Sequence, residues 1–210
     1  MSAPKFLSTG RCLPAKIVTN DDLSRTVDTN DEWVFSRTGI HARHFCERES
    51  GMDLARGAAR QALERSGLKA EDIGVCLVAT FTPDFASPSM ACMLQKQLGL
   101  KEDTICFDLN AACAGFLYGT KTAHALLADA PRPYALVVGA EVISRVLDHT
   151  DRNTCVLFGD GAGAAVLARD DSARWHTVFG SRGDEQSIWV QGPGPEKAAV
   201  HMEGKAVFRF

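Results

Sequence analysis

No apolar run in this sequence approaches the ~20 residues that a membrane-spanning helix needs. Charge of one sign is scarce too. The net charge is −3 over 210 residues, whereas a nucleic-acid partner normally shows as a basic bias. The first residues, Met1-Ser-Ala-Pro-Lys-Phe-Leu, contain no charged segment leading into an apolar stretch, so no export signal is read there. C-x-x-C spacing is missing. The seven cysteines are odd in number, and Cys76, Cys106 and Cys155 sit inside apolar runs. That pattern fits reduced thiols in a cytoplasmic protein better than a disulfide framework or a zinc site. The glycine-rich stretch Phe158-Gly-Asp-Gly-Ala-Gly lacks the Gly-Lys-Ser/Thr ending of a phosphate loop. Its glycines run into a strand-like segment rather than a helix, and a tight turn is the better reading.

What is present is ordinary globular composition, 45% hydrophobic and 23% charged, enough for one good core or two small ones. Ala3 to Thr9 reads as a short strand ending at Gly10, and Pro14 to Asp22 as a loop entering a short helix. Apolar residues at 54, 55, 58, 59, 62 and 63 give helical spacing over Asp53 to Ser66, with Gly67 as the stop. Ile73 to Thr80 has the length and apolarity of a buried strand. Ser87-Pro88 reads as an N-cap with proline at the first helical position, opening a helix that runs to Gly99. Thr104 to Leu109 reads as another buried strand. Pro131 and Pro133 break the helix that follows, and Tyr134 to Glu141 is a further buried strand. Gly161 to Ala168 adds a strand expected to pair with Cys155 to Phe158 or its neighbours. Alternating strands and helices with near-continuous apolar strands predict an α/β protein with a parallel sheet covered on both faces.

The most informative stretch is Asp108-Leu-Asn-Ala-Ala-Cys113-Ala-Gly-Phe-Leu-Tyr-Gly119. It places Cys113 between a strand and a helix. Unpaired N–H groups and the positive end of the helix dipole favour a thiolate there, which is the nucleophilic form. Small neighbours (Ala111, Ala112, Ala114, Gly115) leave room for a substrate carbonyl. The competing reading is a small core cysteine, since free cysteine is among the most buried residue types.

Ala111-Ala-Cys113-Ala-Gly-Phe resembles the active-site segment of β-ketoacyl-acyl-carrier-protein synthase III, the condensing enzyme that starts bacterial fatty-acid synthesis. Three further stretches are similar to that family in the family's order. They are Val27-Asp-Thr-Asn-Asp-Glu-Trp-Val34 with Arg37-Thr-Gly-Ile40, then Thr150-Asp-Arg152, then Phe158-Gly-Asp-Gly-Ala-Gly-Ala-Ala-Val166. The resemblance implies a thiolase-like fold of five αβαβα layers. Residues 1–172 would be the N-terminal half with the nucleophile, and 173–210 the beginning of a second, similar half. It implies an acyltransferase in which Cys113 takes the acyl group of an acyl-CoA and condenses it with malonyl-acyl-carrier protein. No cofactor and no metal enter that chemistry; the coenzyme A thioester is a substrate. A cytoplasmic homodimer is implied as well.

The matching positions carry roles over one by one. Trp33 and Arg152 match residues that sandwich the adenine ring of coenzyme A. Arg37 matches a phosphate contact, and Thr29 a hydrogen-bonding position nearby. Ile143, Leu157 and Phe158 match residues lining the acyl pocket. Ser87 stands where some members place a bulky aromatic, so a longer pocket is expected. On the residues alone, a partly buried structural tryptophan is the better reading of Trp33, and the two arginines read equally as solvated surface charges.

Family members continue for roughly a further hundred residues past the position matching Phe210. The resemblance places an active-site His, an Asn and one oxyanion-hole amide there. The expectation is therefore a fragment, a shortened form or one piece of a cleaved protein, which acylates weakly at best and does not condense. None of the six histidines offers a replacement. His124 lies eleven residues along the helix from Cys113, about 16 Å at 1.5 Å per residue. Two alternatives stand beside the main expectation: a secondary-metabolism condensing or acyl-transfer enzyme on the same fold, and a non-catalytic partner subunit.

Overall fold

The computed structural model describes residues 2–184, 186–190 and 200–202. In chain order the elements are β1 (Ala3–Cys12), β2 (Lys16–Thr19), α1 (Asn20–Leu23), α2 (Asp31–Thr38), β3 (Ala42–Phe45), α3 (Gly51–Ser66), β4 (Ile73–Ala79) and α4 (Met90–Leu98). There follow β5 (Ile105–Leu109), α5 (Gly115–Leu126), β6 (Tyr134–Val142), α6 (Arg152–Cys155), β7 (Asp160–Asp170), β8 (Ile188–Val190) and β9 (Val200–Met202). They divide into two compact units. One holds the described residues of Met1–Pro14, Glu47–Glu141 and Gly161–Thr177; the other holds those of Ala15–Cys46, Val142–Asp160 and Val178–Phe210.

The first unit is built on a sheet of order β1-β7-β6-β4-β5. Its centre is parallel, β4 pairing β5 from Val75↔Ile105 to Ala79↔Leu109 and β6 from Ile73↔Tyr134 to Ala79↔Gly139. Every residue of β4 is buried, the signature of a strand covered on both faces. Val75 and Leu77 join Ala135, Val137, Ala165 and Leu167 in one cluster with Ala123 of α5 and Leu127, its C-cap. The other face is covered by α3 and α4, which also touch each other. Ala55, Ala58, Ala59 and Ala62 of α3 are completely buried, so the helical spacing read from the sequence is the packing face. The helix begins two residues earlier than expected because Ser50 and Asp53 form a capping box. Strand β1 crosses α3 so closely that a Cβ on Gly10 would lie 2.1 Å from the Ala58 carbonyl oxygen.

Four expectations need correction. The sheet is mixed, not parallel, because β1 runs antiparallel to β7; an apolar pattern carries no information on strand direction. β7 pairs with β1 rather than with Cys155–Phe158, since Asp151 caps Arg152–Cys155 into the short helix α6. β5 is half-buried rather than buried, because it is the edge of this sheet. Helix α4 starts at Met90 with Ser89 as its cap. Ser87 and Pro88 stand outside it, because the hydroxyl accepting from the Cys92 N–H belongs to Ser89 (3.2 Å).

The second unit has its own apolar cluster of Val18, Leu23, Val27, Val34, Phe45, Leu147, Cys155 and Val156. Strands β2 and β3, with α1 and α2 between them in the chain, pair antiparallel from Lys16↔Phe45 to Thr19↔Ala42, in stretches where the sequence suggested loop. Thr19 ends β2 and caps α1 through a capping box with Asp22. Among the described residues, no helix is long and apolar enough to cross a membrane.

Candidate active site

Strand β5 delivers the chain to the C-terminal edge of the parallel strands, where ligands of open α/β sheets gather. There Ala112–Ala114 form one 3-10 turn directly before α5. Asn110 begins the turn by accepting the Ala112 N–H on its side-chain oxygen (3.2 Å), and the Ala114 N–H closes it on the Ala111 carbonyl (3.1 Å). Ala112 has φ +44°, in the left-handed region that costs an alanine energy. This strained turn presents Cys113 as an exposed free thiol, so the core-cysteine reading does not hold. Gly115 opens α5 because a Cβ there would stand 3.0 Å from that of Ala79; the helix start is pressed onto the end of β4.

Carboxylates tie the same edge together. Asp108, in β5, accepts the Met90 and Ala91 N–H groups of α4 (2.7 and 2.8 Å). Asp84 accepts the Gly51 and Met52 N–H groups of α3 (3.1 and 2.7 Å). Glu141, at the end of β6, accepts the N–H groups of Phe81 and Thr82 (2.9 and 3.1 Å), the Thr80 hydroxyl (3.2 Å) and the Thr82 hydroxyl. Burial raises the Glu141 carboxyl above its ordinary range, against the opposing pull of those four donors. The sequence reading missed all three acids. Their only local signal is an acidic residue within or just after an apolar strand.

The second unit holds all four of the expected coenzyme A positions, Thr29, Trp33, Arg37 and Arg152. Asn30 caps α2 by accepting the Trp33 N–H (2.7 Å), which fixes the tryptophan in the first turn. The guanidinium carbons of Arg37 and Arg152 lie 4.4 and 3.8 Å from the Trp33 ring centroid. Arg37 also donates to the Trp33 carbonyl (3.2 Å), and Asp151 caps α6 beneath Arg152. Two buried polar atoms here, Thr29 Oγ1 and Arg152 Nε, have no hydrogen-bond partner among the described residues. Buried donors and acceptors are normally satisfied, so these two fit a site made for a polar ligand. Ile143, Leu157 and Phe158 pack with Trp33 against the unit's apolar cluster. Ser87 is exposed and belongs to the first unit.

Three of the described histidines are engaged structurally. His124 is buried and its Nε2 meets the Ser2 carbonyl (3.0 Å); His41 Nδ1 pairs with Asp31 (2.9 Å); His149 Nε2 meets the Ser144 carbonyl (2.9 Å). The His201 side chain lies outside the described residues.

Residues 107–183, which contain Cys113, match the family model described as 3-oxoacyl-[acyl-carrier-protein (ACP)] synthase III. Over its entire length the chain is 49% identical to 68% of the β-ketoacyl-[acyl-carrier-protein] synthase III of Clostridium beijerinckii. The chain belongs to the β-ketoacyl-acyl-carrier-protein synthase III family. That family's enzymes are acyltransferases of the condensing type. The protein of that name from Neisseria meningitidis serogroup A is likewise 49% identical over 100% of this chain and 68% of its own. Among solved structures, the synthase III of Pseudomonas aeruginosa PAO1 superposes with a TM-score of 0.87 at 36% identity, over 98% of this chain and 65% of that one. The priming β-ketosynthase of the R1128 polyketide pathway gives 0.88 at 31% identity, over 96% and 64%. The fold is thiolase-like α/β. The chain spans about two thirds of the length of these relatives (68% and 65%).

Proposed function

We propose that this protein acts as a β-ketoacyl-acyl-carrier-protein synthase III, with Cys113 as the acyl carrier. The observation that carries the reading is the exposed thiol on a strained turn at the head of α5. The Cys113 sulfur attacks the carbonyl carbon of an acyl-CoA, the oxyanion forms and collapses, and the coenzyme A thiolate leaves with the proton that the cysteine gave up. Thiolate replaces thiolate, so the transfer is nearly balanced in energy. The Cys113 N–H serves as one oxyanion donor, a group typically worth about 3 kcal/mol in such sites. In the second stage malonyl-acyl-carrier protein loses carbon dioxide, its carbanion equivalent attacks the acyl carbonyl, and the Cys113 thiolate departs.

Trp33, Arg37, Arg152 and Thr29 hold the nucleotide end of coenzyme A. Their support is the pair of guanidiniums over the indole and the two unpartnered polar atoms. Ile143, Leu157 and Phe158 line the acyl end, and a small, exposed Ser87 favours primers longer than acetyl. Residues 1–172 form the half with the nucleophile and 173–210 open the second half, a boundary supported by the end of β7 at Asp170. The protein works as a cytoplasmic homodimer in this reading, and its free cysteines suit a reducing compartment.

A second reading is a priming condensing enzyme of secondary metabolism, favoured by the likeness to the R1128 ketosynthase. Intact mass after incubation with acetyl-, isobutyryl- or longer acyl-CoA tests the first stage. One acyl group lost on Cys113→Ala is the expected result, and an unmodified parent would sink the proposal. The acceptor then separates the two readings: malonyl-acyl-carrier protein of fatty-acid synthesis against another nucleophile.

A further inference from the structure

Arg43 lies in the second unit and is 6% exposed, yet among the described residues none of its hydrogen-bond partners is a carboxylate. Nη1 donates to the Val18 carbonyl (3.2 Å); Nη2 donates to the Asn20 side-chain oxygen (2.7 Å) and the Val156 carbonyl (3.0 Å). Nε has no partner. Burial pulls the guanidinium below its ordinary range. A buried cation without a counter-ion is expensive, so its value has to lie in what it holds.

One branch leads to the loop after α6. Val156 is the C-cap of α6, the helix that begins with Arg152, and it directly precedes Leu157 and Phe158. The other branch leads to α2. Asn20 is 1% exposed and donates to Asp31 Oδ1 (2.8 Å) and the Ile40 carbonyl (2.7 Å). Asp31 is the first residue of α2, two before Trp33, and its carboxylate also holds His41 Nδ1 (2.9 Å). His41 in turn stacks on Phe35 of the same helix at 3.9 Å. A single nitrogen, Arg43 Nη2, therefore stands between the element carrying Trp33 and the element carrying Arg152. The planar fork aims Nη2 at both acceptors while Nη1 holds the Val18 carbonyl; a lysine, with a single nitrogen, cannot hold all three in the same way.

We propose that Arg43 is a positioning residue for the nucleotide clamp, setting the spacing of Trp33 and Arg152 through the Val156 carbonyl on one side and Asn20–Asp31 on the other. This deepens, and rests on, the reading of Trp33 and Arg152 as coenzyme A contacts. It makes Arg43 matter to the nucleotide portion of the donor and not to the thioester itself.

The test compares two donors with the same acyl group, acyl-CoA and acyl-pantetheine, which lacks the nucleotide. Formation of the Cys113 adduct is followed by intact mass, giving half-saturation and limiting rate for each. In the parent, acyl-CoA is favoured through half-saturation. Arg43→Lys reduces that advantage about five- to tenfold, chiefly through half-saturation for acyl-CoA. Asp31→Ala, at a partly exposed side chain (43%), gives a loss of the same kind and covers the case in which Arg43→Lys does not fold. A purely structural role would lower the adduct with both donors equally. A CoA-to-pantetheine ratio within twofold of the parent's in Asp31→Ala overturns the proposal, whether or not Arg43→Lys folds. No adduct on the parent with either donor instead removes the underlying reading of Cys113, and the clamp with it.

Discussion

Trp33 and Arg152 are in contact, the guanidinium carbon 3.8 Å from the ring centroid. Under the proposed reading an adenine ring enters between them and has to part them first, and this gives the two side chains unequal weight. Replacing Trp33 with alanine removes the stacking surface, and stacking of a base on an aromatic side chain is worth about 1–3 kcal/mol. At 1.4 kcal/mol per tenfold, coenzyme A affinity should fall roughly five- to 150-fold. Replacing Arg152 with alanine removes the second leaf, a contact of about 0.5–1 kcal/mol at a partly exposed site. It also abolishes the self-contact of about the same size that the ligand must break. The two terms oppose each other, and the net loss should stay below about fivefold. Calorimetric titration of coenzyme A into the parent and the two variants measures both numbers. An Arg152→Ala loss larger than the Trp33→Ala loss, or Trp33→Ala binding within twofold of the parent, would refute the reasoning.

Cys113→Ser should lose the stable acyl adduct while leaving the melting temperature close to the parent's, because the side chain is exposed; an adduct that persists on the variant moves the nucleophile elsewhere. Gly10→Ala pushes a Cβ to 2.1 Å from the Ala58 carbonyl oxygen and 2.6 Å from the Ala62 nitrogen. Both are backbone atoms, so β1 must shift off α3 at about 1–3 kcal/mol, seen as a lower midpoint in denaturant; an unchanged midpoint would show that the strand yields freely. Glu141→Gln keeps one backbone N–H bond and loses the other, costing about 1–2 kcal/mol. Because burial raises the Glu141 carboxyl in the folded state, its contribution is complete below the ordinary carboxylate value and declines as pH climbs through the raised one. The stability gap between parent and Glu141→Gln should therefore narrow from pH 4 to pH 7 by this linkage. A gap that widens would mean that the four donors outweigh burial.

The sequence was legible where contacts are local. Helix α3 could be read because its alanines repeat at 55, 58, 59 and 62, and those residues are fully buried. The turn bearing Cys113 could be read because strand, small residues and helix follow one another directly. Helix α4 was misjudged by two residues because its real anchors are Ser89 and Asp108, the latter eighteen residues downstream of Met90. The direction of β1 depends on β7, more than a hundred and fifty residues away, and no alternation of apolar side chains encodes it. Arg43 gave no signal either. It sits in an arginine- and histidine-rich stretch, Ile40-His-Ala-Arg-His44, that reads as solvated until the Val156 carbonyl and Asn20 close over it.

The acids at the C-terminal edge of the sheet explain how a strained turn can persist there. Ala112 holds a left-handed backbone only if its surroundings over-determine it. Asp108 fastens β5 to the start of α4, and Glu141 fastens β6 to the loop leaving β4. Asp84, on that loop, fastens it in turn to the start of α3. The strands on either side of the Cys113 turn are thus bound to helix ends and loops by charge-assisted bonds, stronger than neutral ones. Gly115 lets α5 close onto β4 from the other side. A sulfur held this way is pre-placed before substrate arrives. Loosening Asp108 should therefore reduce the limiting rate of Cys113 acylation more than half-saturation, because no substrate contact is removed. Asp108→Asn, followed by the same intact-mass kinetics, tests this; an effect confined to half-saturation would mean that Asp108 shapes binding and not the turn.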